Sequence, residues 1–424
     1  MTVTVAARRA LPVLVAASLS VGAAAWWSLV RPPAPDPAVV ITRAVADVTA
    51  LTDDAIRLYA AGQLARACER FSEAAGERPA SAARREDVGR CFETWGWRTL
   101  AQGRADEAAL LFSQGLAAVP DDPALLKGAG VAAVHAGRVD DALGPLEAAA
   151  RVRADAQVRM LLARLYDHRD EPERAVGHLR ELLAVDPAHA EARLLLDKLE
   201  REQRTEAAFV REPAGAFVLR YRPGVDADAR RAVLVALDGA RRRVVAQLGD
   251  AGPEPVSVVL YERGQFSDVT RSHAWVNGLF DGRIRLPLGA SRPPRAELER
   301  LLTHEYAHAV IHRQARGRAP RWLQEGLAQV LEGRTSDPAL AASAGLTLTG
   351  LEALVTDPDP RRAHAGYELA LFVVADLLDR GGMDSMRALL ARLGAGETIA
   401  DAAPRVYGWR LAELESQWRR LLGG

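Results

Sequence analysis

The chain of 424 residues has little cysteine, few aromatic side chains and no excess charge of either sign. Its two cysteines, Cys68 and Cys91, lack a Cys-x-x-Cys spacing, which excludes cysteine-clamped metal and redox motifs. Two readings of them remain: a pair in an oxidising compartment, or two small apolar side chains in a helical core. Aromatic residues make up 5% while Ala, Leu and Arg dominate. That balance disfavours a large all-β architecture, because Ala and Leu cost least in a helix interior. Lys plus Arg equal Asp plus Glu at 55 each, so there is no basic surplus of the kind that draws proteins onto phosphate backbones. No nucleic-acid partner is expected, and the length suffices for two or three domains.

The N-terminus reads as an address. Arg8 and Arg9 precede an apolar stretch from Ala10 to Val30, interrupted by Pro12, and the Pro-rich "RPPAPDP" at 31–37 follows. About 20 apolar residues span the hydrocarbon core of a bilayer. Trp26 and Trp27 suit the far interface, with the two arginines retained in the cytoplasm. A membrane anchor over residues 1–37, including the linker, is the expectation. Signal cleavage near Ala23 and Ala25 is the alternative.

Between residues 45 and 204 the chain repeats itself. With Gly62, Gly103, Gly137 and Asp170 aligned as turns between two helices, Ala67, Ala108, Ala142 and Ala175 stand five residues on. Phe71, Phe112, Leu146 and Leu179 follow four later, and Pro79, Pro120 and Pro187 end three of the second helices. A small residue where helices cross and a large one four later on the same face are what stacked helical hairpins need. The first helices add Phe92, Trp95 and Gly96 in the second unit and Gly130 in the third, while "ASAARRE" looks inserted between the first two hairpins. Three repeats, a fourth lacking the turn glycine, and a polar capping helix over Glu191 to Glu202 are predicted.

From residue 207 to 424 the texture is α+β. "AFVLRYR" (216–222) and "PVSVVLYE" (255–262) read as strands around an amphipathic helix at 226–248. "GRIRLPL" (282–288) reads as a further strand, placed at a sheet edge by Pro287.

Within the next predicted helix, from about Pro294 to about His312, lies "LLTHEYAHAV". His304 and His308 differ by about 40° around a helix axis and sit one turn apart, so both imidazoles can reach one cation. Glu305 emerges on the same side, where a carboxylate can take a proton from a metal-activated water. Chance places His-Glu-x-x-His in roughly one chain in a hundred of this composition. The decisive point is burial. Leu298, Leu301, Leu302, Tyr306, Ala307, Val310 and Ile311 wrap the helix in apolar side chains, and burying two histidines and a glutamate without a partner costs several kcal/mol. A zinc ion supplies that partner and needs a third protein ligand. His312 stands roughly 12 Å along the axis from His304, too far to share one ion. In "APRWLQEGLAQVLEG", a second helix opened by Pro320 and closed before Gly333, Glu325 and Glu332 share one face, and either meets the requirement on geometry alone.

"HEYAH" followed by "WLQEGLA" resembles the gluzincin metallopeptidases, and most closely the bacterial peptidase MA-like domains found beside tetratricopeptide repeats, which the first half resembles. The resemblance implies a multidomain chain: an all-α tetratricopeptide-like solenoid followed by an α+β gluzincin-like metallopeptidase domain. It implies Zn2+ as cofactor, held by His304, His308 and Glu325, with Glu305 as general base. Gln324 departs from the asparagine common at that place in the family. "GLFDGRIRLPL" resembles the family's strand ahead of the zinc helix, which lines the cleft, an ordinary edge strand being the alternative. Tyr367 occupies the place of an oxyanion-binding tyrosine in the aminopeptidase-N-like enzymes, a core tyrosine being the blander reading. His273 and His364 read as solvated or structural. The expectation is a zinc peptidase of the bacterial cell envelope, acting on a protein or peptide substrate, anchored in the cytoplasmic membrane or secreted, with a protein partner on the repeat surface. The alternative is a non-catalytic repeat scaffold whose zinc domain is structural or degenerate.

Overall fold

The structure is a computed structural model and describes residues 50–76, 81–250, 252–270, 278–288, 294–336 and 347–422. The expected anchor or signal at 1–37 lies outside the described residues, as do Pro79 and His273. Among the described residues no helix is long and apolar enough to cross a membrane. The chain forms two compact units, one ending at Glu200 and one running from Arg201.

The first unit is a stack of helical hairpins: α1 (Ala50–Ala60) with α2 (Leu64–Gly76), α3 (Ala82–Ala101) with α4 (Ala105–Ala118), α5 (Pro123–His135) with α6 (Val139–Val152), and α7 (Ala156–His168) with α8 (Pro172–Val185). All four aligned turn positions have positive φ, namely Gly62, Gly103, Gly137 and, in the fourth hairpin, Asp170 at 61°. Aspartate tolerates this left-handed conformation better than most side chains, which is how the fourth hairpin manages without glycine. Ala67, Ala108, Ala142 and Ala175 are fully buried, with Phe71, Phe112, Leu146 and Leu179 beside them in the core. Gly96 is required because Phe112 fills its Cβ position, the ring lying 2.7 Å from where that atom would stand. Most of "ASAARRE" does not form a loop: it opens α3, lengthening it to 20 residues. Cys68 and Cys91 are joined in a disulfide between α2 and α3, which decides between the two readings of those thiols.

Helix α9 (Ala190–Glu206) closes this series, and its residues from Arg201 belong to the second unit. The predicted capping helix is present and runs four residues past Glu202. Glu202 and Glu206 are buried, because strand arginines pair with them.

The second unit is built on a five-stranded sheet of order β1-β2-β3-β5-β4, with β1 (Val210–Ala214), β2 (Phe217–Tyr221), β3 (Val256–Glu262), β4 (Leu279–Phe280) and β5 (Ile284–Leu288). β2, β3 and β5 run parallel, and the short outer strands β1 and β4 are antiparallel to their neighbours. A parallel β2–β3 pair requires a crossover, which α10 (Ala227–Leu248) provides. Strand β5 is therefore not outermost, as Pro287 had suggested. β4 covers Ile284 and Arg285, and Pro287 lies beyond that pairing.

One sheet face, with Leu219, Val258, Leu260, Ile284 and Leu286, packs in a common core with α10 and with α12 (Arg295–Gln314). The other face carries Val259 and Tyr261. Strand alternation puts Arg285 on this second face, where it is 1% exposed. Its guanidinium donates to Glu202 Oε1 at 2.9 Å, Asp281 Oδ1 at 2.9 Å and the Tyr261 hydroxyl, while Arg283 donates to Glu202 Oε2 at 3.0 Å. Arg220 approaches Glu206 Oε2 at 2.8 Å. Each of these arginines faces a carboxylate, which is the condition for burying charge at all. Short helix α11 (Arg263–Thr270) follows β3, and α13 (Arg321–Leu331), α14 (Leu348–Val355), α15 (Pro360–Gly394, broken at Gly382), α16 (Ile399–Tyr407) and α17 (Leu411–Leu421) complete the unit.

Candidate metal centre

Every residue of α12 from Leu301 to Ile311 is buried. A helix apolar on most sides stays in the interior, and it takes His304, Glu305 and His308 with it. The second contribution comes from α13, which packs against α15 so closely that a Cβ on Gly326 would lie 2.3 Å from Ala370 O. That contact explains the glycine after Glu325: only a bare backbone lets the helix that carries this carboxylate approach α15.

Three side-chain atoms converge. His304 Nε2 and His308 Nε2 stand 3.1 Å apart, and Glu325 Oε2 lies 3.5 Å from the first and 3.4 Å from the second. Ligand atoms at zinc-bonding distance around one tetrahedral centre stand roughly 3.4 Å apart. The triangle therefore fits three ligands on one small divalent cation. The donor set, two imidazoles and a carboxylate, is one that zinc accepts, and three protein ligands leave a position for water. Glu325 Oε2 is buried with no hydrogen-bond partner, which a cation would remedy.

Glu332 also reaches His304, but at the other nitrogen, with Oε1 3.6 Å from Nδ1. A carboxylate there favours a proton on Nδ1 and leaves the Nε2 lone pair directed at the cation position. Geometry thus separates the two glutamates that the sequence left equivalent. The electrostatics agree. Burial acts to lower the pKa of His304, yet the nearby carboxylates of Glu332, Glu325 and Glu305 outweigh it and raise the value to about 10. Burial lowers His308. Burial would raise Glu325, but His308, His304 and Arg321 together hold it well below the ordinary carboxylate range. Glu325 is thus held as an anion facing the two imidazoles.

Glu305 is 1% exposed, and its Oε1 has no hydrogen-bond partner. Burial, reinforced by the Glu325 and Glu332 carboxylates against the opposing pull of His304, pushes its pKa up to about 8. Gly278, just before β4, passes directly over it, since a Cβ there would lie 2.9 Å from Glu305 Oε1. The strand thus runs alongside the expected general base. Tyr367, on α15, is buried with its hydroxyl unpartnered. Burial raises its phenol well above the ordinary value, and the Glu325 and Glu305 carboxylates add to this, so the phenol lies within the field of both.

Other candidates fall away from the centre. Gln324 commits its amide to Ala319 O at 2.8 Å. The His312 ring packs edge-on near Phe280. His364 lies 3.9 Å from Glu368, on the same helix. Sequence reasoning missed Arg321, whose Nη2 stands 3.5 Å from Glu325 Oε1. The signal was present, because Arg321 and Glu325 are one helical turn apart.

Residues 241–424 match the Peptidase MA superfamily, and residues 99–165 match the tetratricopeptide repeat. Among solved structures, a thermophilic TPR protein of Thermus thermophilus shares 16% identity over 35% of this chain and 97% of its own, with a TM-score of 0.23, too low to support a conclusion. No curated protein matches. The chain thus carries a Peptidase MA superfamily domain preceded by tetratricopeptide repeats, a combination that suggests a peptidase or protein-binding role.

Proposed function

We propose that the protein is an exported or membrane-anchored zinc metallopeptidase that hydrolyses peptide bonds. The observation that carries this reading is the triangle of His304 Nε2, His308 Nε2 and Glu325 Oε2, with edges of 3.1 to 3.5 Å, beside the unpartnered Glu305 carboxylate. The three residues would hold zinc, which when bound acidifies water and polarises a carbonyl. Glu305 takes a proton from the attacking water and delivers it to the leaving amine. The Tyr367 hydroxyl, having no internal partner, donates to the carbonyl oxygen as negative charge develops there. The wall over Glu305 at Gly278 keeps bulk water from the base and offers backbone to an extended substrate.

The repeats bind a protein partner. An extracytoplasmic location is supported by the Cys68–Cys91 disulfide, since such bonds persist in oxidising compartments, and by the apolar N-terminal stretch.

The test is zinc stoichiometry together with peptide-library hydrolysis for the wild type and Glu305→Gln. Both proteins should bind one zinc ion, and only the wild type should cleave. Equal cleavage by both, or none by either, would sink the enzymatic claim and leave the non-catalytic scaffold.

A further inference from the structure

The first turn of an α-helix has four backbone N–H groups with no partner inside the helix. In α13, which carries Glu325, three of these positions are Arg321, Trp322 and Leu323, and the fourth falls on the N-cap proline, which has no N–H. The N-cap residue is Pro320, whose side chain offers no acceptor. Its carbonyl takes Leu323 N and Gln324 N, both at 3.1 Å. The two remaining donors go to one carboxylate from another helix: Arg321 N to Glu352 Oε1 at 3.0 Å, and Trp322 N to Glu352 Oε2 at 3.2 Å. Both oxygens of a half-buried glutamate about thirty residues downstream are thus committed to the start of this helix, where negative charge also complements the helix dipole.

Glu352 is itself held firmly. Its helix, α14, begins with a Thr347 cap on Gly350 N and with Leu348 N donating to Glu415 Oε1 at 2.7 Å. It ends against α15, where a Cβ on Gly366 would meet the Leu354 and Val355 backbone at 2.8 Å. On the other side of the capped turn, Arg321 reaches one turn along α13 to Glu325 Oε1 at 3.5 Å, leaving Oε2 to face the two imidazoles. A path of direct contacts therefore runs from Glu352 through the first turn of α13 to the orientation of one carboxylate.

We propose that Glu352 is a positioning residue for the metal centre: by capping Arg321 and Trp322 it fixes the first turn of α13, and so the placement of the Glu325 carboxylate opposite His304 and His308. This rests on the reading of those three residues as zinc ligands. Zinc–ligand distances tolerate only about 0.2 Å of error, so a fraying first turn is felt at the metal before it is felt by the fold.

The test uses the full chain as wild type, Glu352→Ala, Glu352→Gln and the control Asp122→Ala, which removes the side-chain cap from α5 in the first unit. Zinc dissociation constants are measured by competition with a chromophoric chelator, and unfolding midpoints on the zinc-free proteins. Glu352→Ala should weaken zinc about 10- to 100-fold, the range for residues that orient ligands. Glu352→Gln, keeping one acceptor oxygen, should fall between, and Asp122→Ala should leave zinc affinity unchanged. A Glu352→Ala protein with a lowered midpoint but wild-type zinc affinity would overturn the proposal, the cap then being only structural. If that variant does not fold, Glu352→Gln decides by the same comparison. A wild type that binds no zinc would overturn the metal reading and this inference with it, a failure recognisable from the wild-type titration alone.

Discussion

On the proposed function, replacing Gly326 by alanine should damage the candidate metal centre without altering His304, His308 or Glu325. A Cβ there would stand 2.3 Å from Ala370 O, 2.6 Å from Val374 Cγ2 and 2.8 Å from Ala370 C. Ordinary contact begins at 3.4 Å, so the overlap with the carbonyl oxygen is about 1.1 Å. Val374 can change rotamer, but Ala370 is backbone in the middle of a buried helix, so α13 must move by about 1 Å. Overpacking of this kind costs about 3 kcal/mol at the upper end of its range. Alanine returns about 1 kcal/mol through helix propensity. The clash wins by about 2 kcal/mol. Glu325 is the preceding residue and shifts with the backbone by several times the tolerance of a zinc–oxygen bond, so zinc affinity should fall by more than tenfold. Chelator competition and denaturant unfolding of the zinc-free protein measure the two effects. Gly177→Ala, in α8 with nothing near its Cβ position, is the control and should be neutral or stabilising by up to about 1 kcal/mol. Wild-type zinc affinity and undiminished stability in Gly326→Ala would refute the close approach of α13 to α15.

The two glutamates near His304 should separate in a zinc titration: Glu325→Ala should lose zinc, whereas Glu332→Ala, which strips only the carboxylate facing Nδ1, should weaken it by about 10- to 100-fold. Zinc binding lost in Glu332→Ala and kept in Glu325→Ala would reverse the assignment. In the first unit, burial raises the Asp87 carboxyl from 3.8 to about 6, against the pull of Arg90. Its folded pKa lies above the unfolded one, so the folded state binds the proton more tightly and stability falls as pH rises from about 4 through about 6. Allowing for partial solvent screening, the penalty above that window is about 2 kcal/mol. Asp87→Asn should therefore raise the unfolding midpoint at pH 7 and converge with the wild type below pH 4, and parallel pH profiles for the two proteins would contradict this.

Much of the repeat unit was legible because its determinants are local. A turn that needs positive φ, a small residue five positions on and a large one four later recur with the helical period, so Gly62, Gly103, Gly137 and Asp170 could be aligned without a structure. The pairing of Cys68 with Cys91 could not, since two buried thiols and a disulfide leave the same helical pattern. In the second unit the three inner strands and α10 announced themselves by periodicity, whereas β1 and the two-residue β4 did not. They are defined by pairing with a neighbour more than by their own side chains.

The candidate metal centre divides along the same line. By itself the sequence determined that His304, Glu305 and His308 share one side of a buried helix, because a spacing of one turn is a property of the α-helix and not of its surroundings. Only the tertiary structure decided that Glu325 meets Nε2 of both histidines while Glu332 takes Nδ1 of one. It alone showed that Glu352 caps the first turn of the helix that carries Glu325, and that Gly278 and Gly326 are bare because something else occupies their Cβ positions. Those choices depend on how separate helices and strands pack in space, and no periodicity along the chain encodes a distance between elements that meet only when the core closes.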